Sequence, residues 1–246
     1  MPRYKLIVEY DGGFFSGWQR QENGPSIQGA IEDAVFKLTT ARTLVQGAGR
    51  TDAGVHATGQ VAHVDLVRAW DGFKLREALN AHLVGLPIAV IAAEGVAADF
   101  DARRSAVYRR YVYRILNRRA PPALERRKVW HVKRALDSAA MAEAARVLVG
   151  RHDFTTFRDT QCQASSPVRT LDAFNVVVVG EELRCEVGAR SFLHRQVRSM
   201  VGSLVEVGFG KWSAADLKAA LDSADRSRCG PVAPSDGLYL TGVDYP

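Results

Sequence analysis

Hydrophobic and polar positions change period several times along the chain, and each change marks an element. Lys5-Leu-Ile-Val-Glu-Tyr10 reads as a strand that runs into a turn at Asp11-Gly12-Gly13. From Ser26 the spacing lengthens: Ile27, Ala30, Ile31, Ala34, Val35 and Leu38 recur on one helical face, with Ser26 placed to cap the first turn and Pro25 marking the entry. A short strand at Val45 and Gln46 leads into a glycine-rich loop from Gly47 to His56, and Val61 to Leu66 predicts the next strand. The spacing then predicts a helix over about 71–84 and a strand over 88–93. In Arg109–Ile115 the alternation puts Tyr111, Tyr113 and Ile115 on one face and Arg110, Val112 and Arg114 on the other. Further on, a helix near Asp137 to Val149 ends at Gly150, and strands follow at 174–179 and 183–187. A long helix is expected over 192–207, with Leu193, Val197, Met200, Val201, Leu204 and Val205 as its buried stripe and His194, Arg195 and Arg198 on the remaining surface. Ser213 with Asp216 resembles a capping box for one more helix, and Gly237–Thr241 closes the chain as a strand.

Strands and helices alternate through irregular connections, without a dinucleotide-fold or barrel signature. The pattern predicts an α+β fold of two similar-sized halves, each a sheet with helices on one face. Pro121-Pro122 and the arginines around them mark a connection. The expected division is 1–117, a basic connection at 118–136, and 137–246.

Composition narrows the class. The chain has 246 residues, 47% of them hydrophobic, enough for one large domain or two closely packed ones. The longest apolar run, Leu83 to Ala93, is interrupted by Gly85 and Pro87 and falls short of the roughly 20 residues a spanning helix needs. No membrane segment or signal peptide is therefore expected, and a cytoplasmic protein is. Three cysteines, Cys162, Cys185 and Cys229, lie far apart, and the six histidines form no paired spacing, so neither a disulfide framework nor a metal site is expected.

Charge is unevenly placed. The net charge is +6, yet the stretch from Arg103 to Arg134 holds twelve Lys or Arg residues and one acid, Glu125. Such a stripe fits a polyphosphate partner; a solubilising surface is the alternative. Tyr108, Tyr111 and Tyr113, interleaved with these arginines, suit a surface that stacks bases and grips phosphates, although period 2 also lets Tyr111 or Tyr113 be core. Trp18, after Gly17 in a polar loop, is another stacking candidate.

The loop Gly47-Ala-Gly-Arg-Thr-Asp-Ala-Gly-Val-His56 carries the candidate chemistry. Its glycines let backbone approach a ligand closely. Asp52, ionised and desolvated by a bound substrate, is a competent nucleophile; an Asx turn or a loop ion pair is the structural alternative. Arg50 lies two residues away and shares a face with Asp52 where the loop is extended. His56 is either a base or a cap on a backbone group. The loop lacks the Lys-Ser/Thr of a P-loop and the spacing of a dinucleotide site, so no nucleotide cofactor is expected. No serine sits in a nucleophile-elbow frame.

These residues also carry a resemblance. Gly49-Arg-Thr-Asp-Ala-Gly-Val-His-Ala57 followed by Gly59-Gln60-Val61 resembles the TruA-type tRNA pseudouridine synthases, and the likeness extends over almost the whole chain. Tyr10-Asp-Gly12, Gly17-Trp-Gln19, Phe100–Arg103, Arg110–Tyr113, His152–Phe154, Ser191–Leu193 with Val197-Arg198, and Gly237–Leu240 follow in the same order. Gly13, Phe15 and Gln196 depart from the usual residues. The resemblance implies two ferredoxin-like halves around a central, mainly antiparallel sheet with a basic cleft, and conversion of uridine to pseudouridine at positions 38, 39 and 40 of tRNA. It implies Asp52 as the catalytic residue, Tyr111 against the target uracil, Arg198 paired with the aspartate and Arg50 holding the site open for a flipped nucleotide. No cofactor and a homodimer are implied as well. Arg103, Arg109, Arg110, Trp18 and His56 are further candidate RNA contacts. The competing readings are a non-catalytic RNA-binding protein and an Asp-dependent hydrolase that releases free uracil.

Overall fold

The computed structural model describes residues 1–22 and 24–246. The chain divides into two units, Met1–Val107 with Tyr239–Pro246, and Tyr108–Leu238. The strand around Tyr111 thus belongs to the second unit, and the last strand returns to the first. The fold is α+β with mainly antiparallel strands.

In the first unit, β1 (Arg3–Tyr10) pairs antiparallel with β3 (His56–Asp65) on one side and β4 (Ile88–Val96) on the other. The far edge of β3 takes β10 (Leu238–Asp244) in parallel, Tyr239 opposite His56, and the short β2 (Gln46–Gly47) antiparallel, Gln46 opposite His63. Helix α1 (Ile27–Thr39) starts where expected, because the Ser26 hydroxyl accepts the Gly29 N–H. Its Ile27, Ile31, Ala34 and Val35 are buried, and each large aliphatic side chain contributes roughly 1.5–3 kcal/mol by leaving water. Helix α2 (Gly72–Leu83) is capped by Asp71, whose carboxylate accepts the Lys74 N–H, and buries Leu75, Leu79 and Leu83.

In the second unit, β5 (Tyr108–Asn117), β9 (Glu182–Ala189), β8 (Val168–Val179) and β7 (Gly150–Asp153) form an antiparallel series in that order. A three-residue strand, β6 (Trp130–Val132), adds in parallel to β5. Neither β6 nor β7 was legible as a periodic run, since three or four residues carry too little alternation. Helices α3 (Ser138–Ala145), α4 (Gln196–Gly208) and α5 (Ala214–Asp222) complete the unit. Both halves of the capping box expected at Ser213 and Asp216 are present.

Helix α4 begins at Gln196, four residues later than the apolar stripe suggested. Arg195 adopts φ 59°, ψ 8°, a left-handed conformation that ends helical backbone, so Phe192, Leu193 and His194 belong to the preceding turn. The stripe itself is right: Leu193, Val197, Met200, Val201, Leu204 and Val205 are all buried. No helix of the described residues is long and apolar enough to cross a membrane.

Candidate active site

Residues 48–55 fold back along the edge of β3. The Ala48 N–H donates to Val61 O at 2.7 Å and the Trp18 N–H to Thr51 O at 3.0 Å. The Val55 N–H returns to Asp52 O at 3.1 Å, closing a turn whose third residue, Gly54, has φ 79°, as a type II turn requires. Asp52 opens this turn and is half-buried; Arg50 is exposed.

The loop is held from beneath by side chains distant in sequence. Tyr10 Oη and Thr51 Oγ1 share a hydrogen bond of 2.8 Å, and Gln60 Nε2 donates to Gly49 O at 2.8 Å and to Tyr10 Oη at 3.4 Å. On another side lies Gly17, at φ 104°, whose Cα abuts the Thr51–Asp52 peptide: a Cβ there would sit 2.6 Å from Thr51 O and 3.1 Å from Asp52 C. The motifs Tyr10-Asp-Gly12, Gly17-Trp and Gly59-Gln60 thus converge on the segment that carries Asp52. None of Tyr10, Thr51 or Gln60 was marked as a site residue by sequence reasoning. A polar residue directly ahead of an apolar pair, Gln60 before Val61 and Ala62, was the available signal.

Two candidate RNA contacts in this unit are corrected. Trp18 is 3% exposed; its indole packs over Gly47 and lies 6.1 Å from the Tyr10 ring, so it offers no free face to a base. His56 is 1% exposed; its Nδ1 accepts the Gly12 N–H at 3.1 Å and its ring stacks on Tyr239 at 4.7 Å. The backbone-capping alternative for His56 is the one realised. Asp11 Oδ1 lies 3.0 Å from the same nitrogen and also accepts the Gly13 N–H. Arg103 is exposed, at a turn where its N–H donates to Asp101.

In the second unit Tyr111 lies on β5 opposite Val187, with its ring edge-to-face on Phe192 at 5.1 Å. Phe192 belongs to the turn ahead of α4, which the late helix start leaves available to reach Tyr111. Tyr113 is fully buried, its hydroxyl donating to Pro234 O at 2.7 Å, and burial pushes that phenol well above its ordinary range. Tyr113 is therefore core, and not a stacking platform. Arg198, in the first turn of α4, donates from Nε to Ala233 O at 2.8 Å, while the Ala233 N–H donates to Arg198 O at 3.1 Å.

The turn entering α4 is anchored by Asp159, which is 7% exposed. Its carboxylate accepts from Arg195 Nη1 at 2.9 Å and from the Gln161 N–H at 2.9 Å, with His194 Nδ1 at 3.5 Å. Burial acts to raise this carboxyl, but the Gln161 N–H and the charges of Arg195, His194 and Arg226 outweigh it and hold it below the usual carboxylate range.

The basic stripe is less free than a count of charges suggested. Arg114 pairs with Glu125 and Glu182, Arg118 pairs with Glu181 at 2.7 Å, and Arg134 lies over the Phe209 ring at 5.1 Å. Arg109 is 9% exposed and donates to Arg190 O, so it braces the backbone where an RNA contact was expected; Arg110 is exposed. Among the described residues no group of three His, Cys, Asp or Glu side chains is arranged to hold a metal ion.

A family model described as tRNA pseudouridine synthase matches residues 6–103 and 144–246. The chain belongs to that family. It is 63% identical over 246 residues to the tRNA pseudouridine synthase A of Maricaulis maris (strain MCS10), covering 100% of this chain and 99% of that one. It is also 63% identical over 245 residues to that of Rhodopseudomonas palustris (strain BisA53), covering 100% of both, and 61% identical to that of Beijerinckia indica subsp. indica, covering 100% and 95%. Asp52 and Arg198 fall inside the stretches that match the synthase family. Tyr111 and most of the basic stripe fall between them, in a part of the chain that the full-length relatives nevertheless span.

Proposed function

We propose that this synthase isomerises uridine to pseudouridine at positions 38, 39 and 40 of the tRNA anticodon stem-loop, with Asp52 as the nucleophile. The observation that carries the reading is the end-to-end identity of 63% with tRNA pseudouridine synthase A enzymes. The hydrogen-bonded loop around Asp52 supports it, because a nucleophile needs a fixed approach.

The chemistry breaks N1–C1′ and joins C5 to C1′; the C5 proton leaves, N1 gains one, and the composition of the nucleoside is unchanged. No redox partner or energy source is required. The target base first leaves its stack at a cost of a few kcal/mol. Cationic contacts to phosphates, with Arg103 and Arg110 as candidates, offset that cost. Arg50 holds the space vacated by the flipped nucleotide. The Asp52 carboxylate then adds to C6 of uracil or acts at the ribose; both routes need an anion held against the nucleoside. Arg198 serves as its counter-ion and fixes its direction. Tyr111 packs on the uracil so that the detached base turns without escaping, and its hydroxyl assists loss of the C5 proton. The resemblance further supports a cytoplasmic homodimer.

Asp52→Ala tests the reading. Pseudouridine formation should vanish while tRNA binding stays within a few-fold, as mapped by primer extension after carbodiimide treatment. A fully active variant refutes the assignment. Wild-type protein that binds tRNA and leaves it unmodified would favour the non-catalytic reading, and release of free uracil the hydrolase.

A further inference from the structure

We propose that the buried trio Tyr10, Thr51 and Gln60 is the positioning device for the Asp52 carboxylate. The inference rests on the reading of Asp52 as nucleophile and deepens it. Tyr10 ends β1, Gln60 lies within β3, and Thr51 immediately precedes Asp52; they are 3%, 0% and 7% exposed. Gln60 Nε2 grips the loop at two points, directly at Gly49 O and, through Tyr10 Oη, at the Thr51 hydroxyl. These two points bracket Arg50, and Thr51 is held a second time by the Trp18 N–H at its carbonyl. The loop is thereby fixed at Gly49 and doubly at Thr51, directly ahead of Asp52, which sets the direction in which the Asp52 side chain leaves the loop.

The trio is not explained by the needs of the sheet. The β1–β3 register, with Val8 opposite Gln60, is made by backbone pairing, and an apolar side chain at position 60 would keep it. Gln60 Oε1 has no hydrogen-bond partner among the described residues, although it is wholly buried. An unpaired buried acceptor costs stability, so the amide is a poor choice for packing alone. What it supplies is a donor aimed at Gly49 O and Tyr10 Oη. Displacing a reacting group by about 1 Å costs on the order of 100-fold in rate, so a hydrogen-bonded brace under the nucleophile has a direct consequence for turnover.

The test compares Thr51→Val, which keeps the shape and loses the hydroxyl, with Thr51→Ser, which keeps the hydroxyl. Thr51→Val should lower kcat on tRNA by about 10- to 100-fold with KM within about twofold, and Thr51→Ser should recover most of kcat. Tyr10→Phe, which removes a single oxygen atom, should reproduce the kcat loss and decides the question by itself should Thr51→Val fail to fold. Each variant is assayed well below its melting temperature alongside Asp52→Ala. An inactive Asp52→Ala with wild-type kcat in both Thr51→Val and Tyr10→Phe overturns the positioning role and leaves the nucleophile standing. An active Asp52→Ala overturns the nucleophile instead. A lowered melting temperature with unchanged kcat, or a loss confined to KM, also overturns the positioning role.

Discussion

Replacing Gly17 by alanine should strike the fold and the Asp52 loop together. Gly17 has φ 104°, and an added Cβ would meet Thr51 O at 2.6 Å, Asp52 C at 3.1 Å and Ala53 N at 3.2 Å. All three are backbone atoms, so no side chain can swing aside. Holding a residue with a side chain in such a conformation costs about 1–3 kcal/mol. The Thr51–Asp52 peptide must also retreat by roughly 0.8 Å to reach an ordinary contact, which strains the Trp18 N–H bond to Thr51 O, worth about 1 kcal/mol. The sum is about 2–4 kcal/mol, and at about 2–4 °C per kcal/mol for a chain of this size the melting temperature should fall by roughly 4–16 °C. Because the displaced peptide carries Asp52, kcat should fall by about 10- to 100-fold even at temperatures where the variant is folded. Gly85→Ala is the control: its φ is 85°, but nothing lies within 4 Å of the new Cβ. It should lose a few degrees and no kcat. Differential scanning fluorimetry and single-turnover modification of tRNA read both effects. Wild-type melting and wild-type kcat in Gly17→Ala would refute the packing described around the loop.

Three further outcomes follow from the geometry. His63 is buried and its Nδ1 accepts the Ala102 N–H at 3.0 Å; burial, followed by the Arg3 charge, lowers its proton affinity below the ordinary value of 6.5. The folded chain therefore binds fewer protons than the unfolded one, and this contribution to stability is full above pH 6.5 and is lost as pH falls through the lower folded value. Urea midpoints should decline as pH drops below 6.5, and His63→Asn should flatten that decline; an equal decline in the variant contradicts the assignment. Among the cysteines, Cys185 is fully buried and pushed up to about 12, whereas at Cys162 the raising effect of burial is outweighed by the Ala164 and His194 N–H groups and the Arg158 charge. Iodoacetamide should modify Cys162 first and Cys185 last, as peptide mass spectrometry will record, and the reverse order would count against the structure. Finally, Arg103→Ala and Arg110→Ala should each weaken tRNA binding and reduce its salt slope by about one, while Arg109→Ala, which loses the bond to Arg190 O, should chiefly lower stability.

Local physics wrote much of this protein directly into its sequence. Ser26, Asp71 and the Ser213–Asp216 box fix helix starts because the cap and the orphan N–H groups it satisfies lie within three residues. Burial along α1 and α4 follows from helical period, and the Gly49–Ala57 string marked the Asp52 loop without coordinates. Only the tertiary structure decided what depends on residues far apart. It buried Trp18 over Gly47 and His56 against Tyr239, turning two candidate RNA contacts into packing. It moved the start of α4 to Gln196, where Asp159, 36 residues from Arg195, grips the turn. It spent part of the basic stripe on Glu125, Glu181 and Glu182. And it gathered Tyr10 and Gln60, 50 positions apart, beneath Thr51. Periodicity reports which face of an element is buried; it carries no information about which distant polar group will be waiting there, because that is set by how the strands align.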